Sequence, residues 1–307
     1  MLVNPLLPDE APDPCVVRHD GAYFLTATVP PFADRLVIWR SETLGGFGER
    51  DAARAVVWTA PPTGLRSRSL WAPELHRLDG RWYLHHCASD DIDANHRQYV
   101  LEAKTDDPLG PWVDRGRVDP EFDRYAIDGT VIELPNGSRW FAWTTGELWI
   151  APMTSPTRVR PGGPRVRIAA PNLRWEGSWL EAPQALIHHG RVFVSYSAGH
   201  SGTPDYRVGF LELLGDDPLD TGAWRKSRVP LLEPDPDAGA WTTGHCSFTT
   251  SPDGTEDWIV YHAKDTTSLG FGGRTARAQR LTWTANGLPF VGRPVPLGVP
   301  LQPPSGE

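Results

Sequence analysis

The chain has 307 residues, 39% of them hydrophobic, and a formal net charge of −8. That length fits one large all-β domain or two smaller ones, and the apolar fraction is enough for a packed core. No basic stripe is present, which argues against nucleic acid as a partner, and no run of about 18 apolar residues is present to span a membrane.

The opening "MLVNPLLPDEAPDP" lacks a basic segment followed by an apolar one. The expectation is therefore a cytoplasmic protein, with secretion as the alternative if the sequence is a mature form. Cys15, Cys87 and Cys246 are widely spaced, as befits free buried thiols rather than a zinc site or a disulfide framework. Fourteen tryptophans and seven tyrosines in a chain with 30 glycines and 31 prolines point to β-structure with aromatic surface for a flat ligand such as a sugar.

Taken in chain order, five segments repeat one pattern. They are "DPCVVRHDGAYFLTAT" from 13, "APELHRLDGRWYLHHCAS" from 72, "DGTVIELPNGSRWFAWTT" from 128, "EAPQALIHHGRVFVSYSA" from 181 and "HCSFTTSPDGTEDWIVYHA" from 245. Each has a polar or small leader, an apolar run, a turn glycine (Gly21, Gly80, Gly137, Gly190, Gly254) and an aromatic-rich second run. Each therefore reads as a hairpin. Their starts lie 53 to 64 residues apart, the scale of one propeller blade. "LVIWRS", "RQYVLEAKT", "LWIAPM", "YRVGFLEL" and "RTARAQRLTW" follow as third strands. The pattern predicts an all-β, five-bladed β-propeller over residues 1–307 as a single domain, with a Pro-rich closing segment and tail from about residue 298 to 307. A β-sandwich or a β-helix is the plainer alternative.

In a propeller the heads of the first strands converge at one end of the central channel. The leaders bring Asp13, Trp71-Ala72, Asp128, Glu181 and His245 to that place. Three carboxylates around one pocket repel one another, so such a cluster persists where it has work to do or a cation to hold. Taken singly, each is weak: Asp13 in "PDP" also suits a turn, Asp128 a loop cap and Glu181 a rim charge. Asp128-Gly129 is a special case, because the turn after its strand is already supplied by Asn136-Gly137.

Here the residues carry a resemblance. "APDP", "WAPELHRLDGRWYLHHCAS", "AIDGTVIE", "WLEAP", "GHCSFTTSPDGTEDWIVYHA" and "GRTARAQRLTW" together resemble glycoside hydrolase family 43 along nearly the whole chain. The likeness is greatest to its α-L-arabinofuranosidase members. It implies a five-bladed propeller that hydrolyses arabinose- or xylose-containing oligosaccharides with inversion and without a metal in the chemistry. By the resemblance Asp13 is the general base and Glu181 the general acid, with Asp128 raising the acid's pKa and orienting it. Trp71 lines the sugar subsite. Arg277 reaches the pocket and pairs with Asp128, with Arg274 as its competitor. His245 helps hold a structural calcium in the axial channel, although calcium takes several oxygens and no EF-hand-like loop is present. The acid motif departs from the family's usual "NEGP": here it reads "LEAP", with Leu180 and Ala182 beside Glu181.

The chemistry agrees on independent grounds. Inverting hydrolysis needs one carboxyl to protonate the leaving oxygen and another, roughly 6.5–9.5 Å away, to activate water. Trp39, Trp143 and Trp179 are weaker sugar-stacking candidates, and His262 is a rim candidate. Glu74 and the "DPEFD" cluster at 119–123 read as surface charge. "VSYSAG" has no nucleophile elbow, and "GFGG" and "RPGGP" read as turns. β-Xylosidase and endo-arabinanase compete within the family. From another class, a propeller that only binds carbohydrate or protein competes as well, and it has no need of three axial carboxylates.

Overall fold

Hairpin after hairpin, the chain builds five antiparallel sheets in a computed structural model that describes residues 1–307. Blade I is Cys15–His19, Ala22–Thr26, Arg35–Ser41 and Ala53–Thr59. Blade II is Arg68–Leu78, Arg81–Ser89, Arg97–Ala103 and Trp112–Arg117. Blade III is Ile127–Glu133, Arg139–Thr144 and Leu148–Ser155, edged by Arg158–Val159 and Val166–Ala169. Blade IV is Leu180–His188, Arg191–Ala198, Arg207–Leu213 and Trp224–Lys226. Blade V is Trp241–Thr250, Asp257–Lys264, Thr275–Trp283 and Pro289–Phe290. Within each blade successive strands pair, except that Val166–Ala169 pairs with Leu148–Ser155, and no α-helix interrupts them. The fold is an all-β, five-bladed propeller.

Turn chemistry sets the hairpins. At Asp20-Gly21, Asp79-Gly80 and His189-Gly190 both residues are left-handed, with φ of 48–52° and then 75–78°. That is the backbone of a two-residue type I′ turn. Blades III and V use longer turns, between Glu133 and Arg139 and between Thr250 and Asp257.

The core is divided among the seams. Buried apolar side chains form five packets of 12 to 15 residues, one between each pair of neighbouring blades. Leu36 and Ile38 of blade I meet Leu84 and Leu101 of blade II, for example. Trp82, Trp143 and Trp258 are fully buried in such packets, which removes Trp143 from the sugar-stacking candidates.

The ring closes between blades V and I. Leu2, Leu6 and Leu7 pack with Trp258 and Val260. Asn4 exchanges two hydrogen bonds with the Ala278 backbone, at 2.8 and 2.9 Å. Leu2 and Val3 also pair with Leu301 and Pro300, so the Pro-rich end is tied to the start of the chain.

One irregularity recurs five times and positions the site. Asp13, Ala72, Asp128, Ala182 and His245, at the heads of the five inner strands, all have positive φ, 45–59°. In blades II to V a one-residue bulge breaks the ladder there, as between Ile127 and Thr130 or Glu181 and Gln184. Four of these five left-handed N–H groups are held by a residue within two positions of the end of the previous blade's second strand. Ala72 donates to Thr28 Oγ1 (2.9 Å), His245 to Ser197 Oγ (2.7 Å) and Asp13 to His262 Nδ1 (3.1 Å), while the Cys87 thiol lies on the Asp128 backbone. In the fifth case the Ala182 N–H donates to the carboxylate of Asp128 itself, at 3.1 Å.

Candidate active site

The bulges turn the strand heads toward the mouth of the channel. Asp13, Asp128, Glu181 and His245 come together there: all four are buried, and His245 feels the charge of each of the three carboxylates. The sequence reading put Glu181 in the same repeat position as Asp13 and Asp128. The structure corrects that by one residue. Glu181 lies opposite Ser197, just as Trp71 lies opposite Cys87 and Ile127 opposite Thr144. It is the residue before the bulge, and Ala182 takes the left-handed position.

Asp13 is clamped on both oxygens. Oδ2 accepts from the Thr28 hydroxyl at 2.7 Å. Oδ1 faces His245 Nδ1 at 3.1 Å and Arg274 Nη1 at 3.2 Å. Burial works to raise its pKa, but His245 and Arg274 outweigh that and hold it well below the usual carboxylate range. His245 is the counterpart: burial opposes its charge, yet Asp13 and then Asp128 push it up to about 9. His262 Nδ1 also lies 3.4 Å from Asp13 Oδ1. It is no ion pair, because burial drives His262 down to about 3 and its Nδ1 accepts the Asp13 N–H. His262 is therefore neutral, with its proton on Nε2.

Asp128 behaves differently. Burial, with repulsion from Glu181 and Asp13, outweighs the pull of His245 and raises it to about 8. The expected repulsion between Asp128 and Glu181 is present in this upward shift of Asp128. Gly129 follows it because a Cβ there would lie 2.3 Å from the Phe141 ring and 2.4 Å from Gln98. Glu181 is held by two donors: Trp179 Nε1 reaches Oε2 at 2.8 Å and the Tyr206 hydroxyl reaches Oε1 at 2.6 Å.

An aromatic arc continues from the acid. Trp179 meets Tyr125 edge-on, Tyr125 meets His96 edge-on, and His96 stacks on Trp71 with ring centres 4.0 Å apart. On the opposite flank Tyr206 stacks on His262. Trp71 thus lies at the end of a connected wall, half-buried, with one face covered by His96. Trp39 packs on the seam between blades V and I.

Three expectations need correction. Arg277 does not pair with Asp128: it lies opposite Tyr261 in blade V, fully buried, and none of its guanidinium nitrogens has a hydrogen-bond partner. Arg274, three residues earlier and just outside the strand, supplies the arginine, and it bonds Asp13. Glu74 is not surface charge. It is 4% exposed, accepts from Gln184 Nε2 at 2.8 Å, and burial raises its pKa to about 7. In the 119–123 cluster, Asp119 is buried in a fork with Arg165, while Glu121 and Asp123 are exposed.

The donor set does not fit the calcium expected beside His245. Its Nδ1 faces the Asp13 carboxylate at 3.1 Å, and no group of three or more His, Cys, Asp or Glu side chains is placed to hold a metal. Sequence reasoning missed Thr28, Tyr206 and the pairing role of Trp179. Thr28 had a signal, since it lies two residues past a second strand on the site's face; Tyr206, in a loop before a third strand, had none.

The family model described as Glycosyl hydrolases family 43 matches residues 2–289. The chain belongs to that family. Among the relatives found, Alpha-L-arabinofuranosidase 43 of Humicola insolens is 35% identical over 96% of this chain and 64% of its own length. The Extracellular exo-alpha-(1->5)-L-arabinofuranosidase of Streptomyces chartreusis is 37% identical over 85% of this chain and 82% of its own. A same-named protein of Streptomyces avermitilis matches at 35% over 96% and 64%. This chain thus spans just under two thirds of the length of the Humicola and avermitilis relatives. The crystal structure of alpha-L-arabinofuranosidase from Lactobacillus brevis superimposes with a TM-score of 0.90, at 30% identity, covering 97% of this chain and 98% of that one. The family-43 fold therefore accounts for the whole ring.

Proposed function

We propose that this family-43 chain is an α-L-arabinofuranosidase that releases terminal α-L-arabinofuranosyl units from arabinan or arabinoxylan oligosaccharides with inversion. One observation carries the reading. An ionised carboxylate, Asp13, fixed by Thr28, His245 and Arg274, shares a buried pocket with a second carboxyl, Glu181, that comes from a different blade and has its own donors. Two independently held carboxyls of unlike environment are what an inverting glycosidase requires.

In this mechanism Asp13 takes a proton from water as that water attacks the anomeric carbon. Glu181 gives its proton to the leaving oxygen as the glycosidic bond breaks. Asp128 grips the Ala182 N–H and so fixes the bulge from which Glu181 projects. Trp71, at the end of the aromatic wall, is the sugar-stacking residue, and Arg274 takes the place expected of Arg277. Every step is assigned to the chain's own side chains. The names of the curated relatives support arabinofuranose as the sugar, and the two Streptomyces names support exo action and favour secretion over the cytoplasmic expectation. No helix is long and apolar enough to cross a membrane.

The test is turnover of arabino-oligosaccharides, 4-nitrophenyl α-L-arabinofuranoside and the matching β-xyloside, with the product anomer followed by NMR. Arabinose should appear with inverted configuration. Asp13→Asn and Glu181→Gln should each cost at least about 100-fold in kcat on the oligosaccharide with folding intact. A retained product configuration, or near-normal turnover by Glu181→Gln, overturns the assignment. Preference for the xyloside makes the chain a β-xylosidase, and binding without release makes it a carbohydrate-binding propeller.

A further inference from the structure

Resting on the assignment of Glu181 as the acid, we propose that Trp179 and Tyr206 are positioning residues that decide which oxygen of Glu181 carries the catalytic proton. The indole N–H holds Oε2 as an acceptor, and the proton rides on Oε1, opposite the Tyr206 hydroxyl.

The argument starts from what each group is able to do. An indole N–H donates and never accepts, whereas a phenol does both. Trp179 Nε1 therefore donates to Oε2 whatever the charge on Glu181. In a neutral carboxyl the carbonyl oxygen is the better acceptor, so this bond makes Oε2 the carbonyl and Oε1 the hydroxyl. Tyr206 accommodates both states by turning one O–H bond. Facing the carboxylate it donates to Oε1, and the 2.6 Å separation suits a charge-assisted O–H···O⁻ bond. Facing the acid it accepts from Oε1, and its own proton turns away from Glu181, toward the side on which Ser197 lies. Ser197 Oγ is itself fixed by the His245 N–H at 2.7 Å.

Both rings are seated on bare backbone. A Cβ on Gly146 would lie 2.7 Å from Trp179 Cε3, and one on Gly244 would lie 2.1 Å from Tyr206 Cε1. Each ring rests where only a glycine leaves room, one from the seam with blade III and one from the seam with blade V. Glu181 is thereby held by two rings of its own blade, each backed by a neighbouring one. When the substrate is seated, the Oε1–H bond breaks, the leaving alcohol gains that proton as the glycosidic C–O bond breaks, and Glu181 is left as the carboxylate that Tyr206 then donates to. Water supplies the new C–O bond, and its proton goes to Asp13.

The experiment uses Tyr206→Phe, which removes only the O–H, and Trp179→Phe, which keeps an aromatic side chain but removes the N–H together with the indole's five-membered ring. Each is assayed on α-1,5-arabinobiose, whose leaving alcohol needs a proton, and on 4-nitrophenyl α-L-arabinofuranoside, whose phenolate leaves without one. The expected result is a fall in kcat of about 100-fold on arabinobiose, with KM little changed and the nitrophenyl substrate losing less than about fivefold. Equal losses on both substrates, or no loss on arabinobiose, overturn the proposal and leave the two residues as packing. Either variant alone decides it, should the other fail to fold. Glu181→Gln runs beside them: if it still cleaves arabinobiose, the assignment of the acid itself is wrong, a result separate from the ring variants.

Discussion

Ala182 has a φ of +55° at a buried position where the family's usual acid motif places glycine. An L-residue in that region costs roughly 1–2 kcal/mol, against roughly 0.4–1 kcal/mol that glycine loses through a freer unfolded chain. Ala182→Gly should therefore stabilise the protein by about 0.5–1 kcal/mol, a rise of about 1–3 °C in Tm. A calorimetric scan checks this, and a lower Tm would mean that the buried methyl outweighs the strain. Glu74 gives a pH-dependent counterpart. Its pKa is raised by burial from the usual 4.5 to about 7, so the fold prefers it neutral. An acid shifted upward loses stability as pH climbs from its unfolded value through its folded one. Wild type should therefore weaken between about pH 5 and 8 relative to Glu74→Gln, by on the order of 3 kcal/mol at pH 8. Urea unfolding of both proteins at pH 5 and 8 measures the gap; parallel curves at the two values would show that Glu74 does not titrate inside the fold.

At the scale of elements, the inter-blade caps hold the site. Thr28 both accepts the Ala72 N–H and donates to Asp13, so one hydroxyl joins the head of blade II to the base in blade I. Thr28→Val keeps the shape and leaves the buried N–H unpaired, at about 1–3 kcal/mol. It should also lower kcat, because Asp13 loses the partner of Oδ2. Denaturant unfolding alongside turnover reads both effects, and a variant with unchanged turnover would place the hydroxyl in folding alone. The hairpins themselves were legible because their turns are punctuated by glycine and their runs alternate. The caps were not, because they link residues from different repeats. The position of Glu181 was misread for a related reason. Blades I, II and IV have two-residue turns, while III and V have longer ones. Counting back eight residues from the turn glycine reaches the left-handed Asp13, Ala72 and Ala182 in blades I, II and IV but misses Asp128 and His245 by one in III and V, so the leaders were matched by residue type and Glu181 was taken one place early. Arg274 and Arg277 were confused because the strand starts only at Thr275. One arginine stands before it at the channel mouth, and the other lies along it between blades. Glu74 read as surface charge because a single carboxylate among histidines carries no mark of burial. The question raised by Asp128-Gly129 resolves at this scale: Asp128 caps the Ala182 bulge in the one seam where the second-strand residue does not.

At the scale of the molecule, the ring is closed by the N-terminal segment. Leu6 donates from its backbone to Ala276, Asn4 bonds Ala278 in both directions, and the seam they complete also carries Asp13, His262 and Arg274. The active site is therefore assembled across the joint between the two ends of the chain. Asn4 is 1% exposed, so Asn4→Ala leaves a backbone N–H and C=O of Ala278 without their partners. The cost should be about 2–4 kcal/mol, from two unsatisfied buried groups. If that seam opens before the other four, the base parts from His262 while the remaining blades stay folded. Activity of Asn4→Ala should then be lost on heating several degrees below the melt seen by far-UV circular dichroism, whereas wild type should lose both together. A variant whose activity and dichroism fall on one curve, however far down in temperature, would show that the five seams unfold as a single cooperative unit and that closure has no separate life.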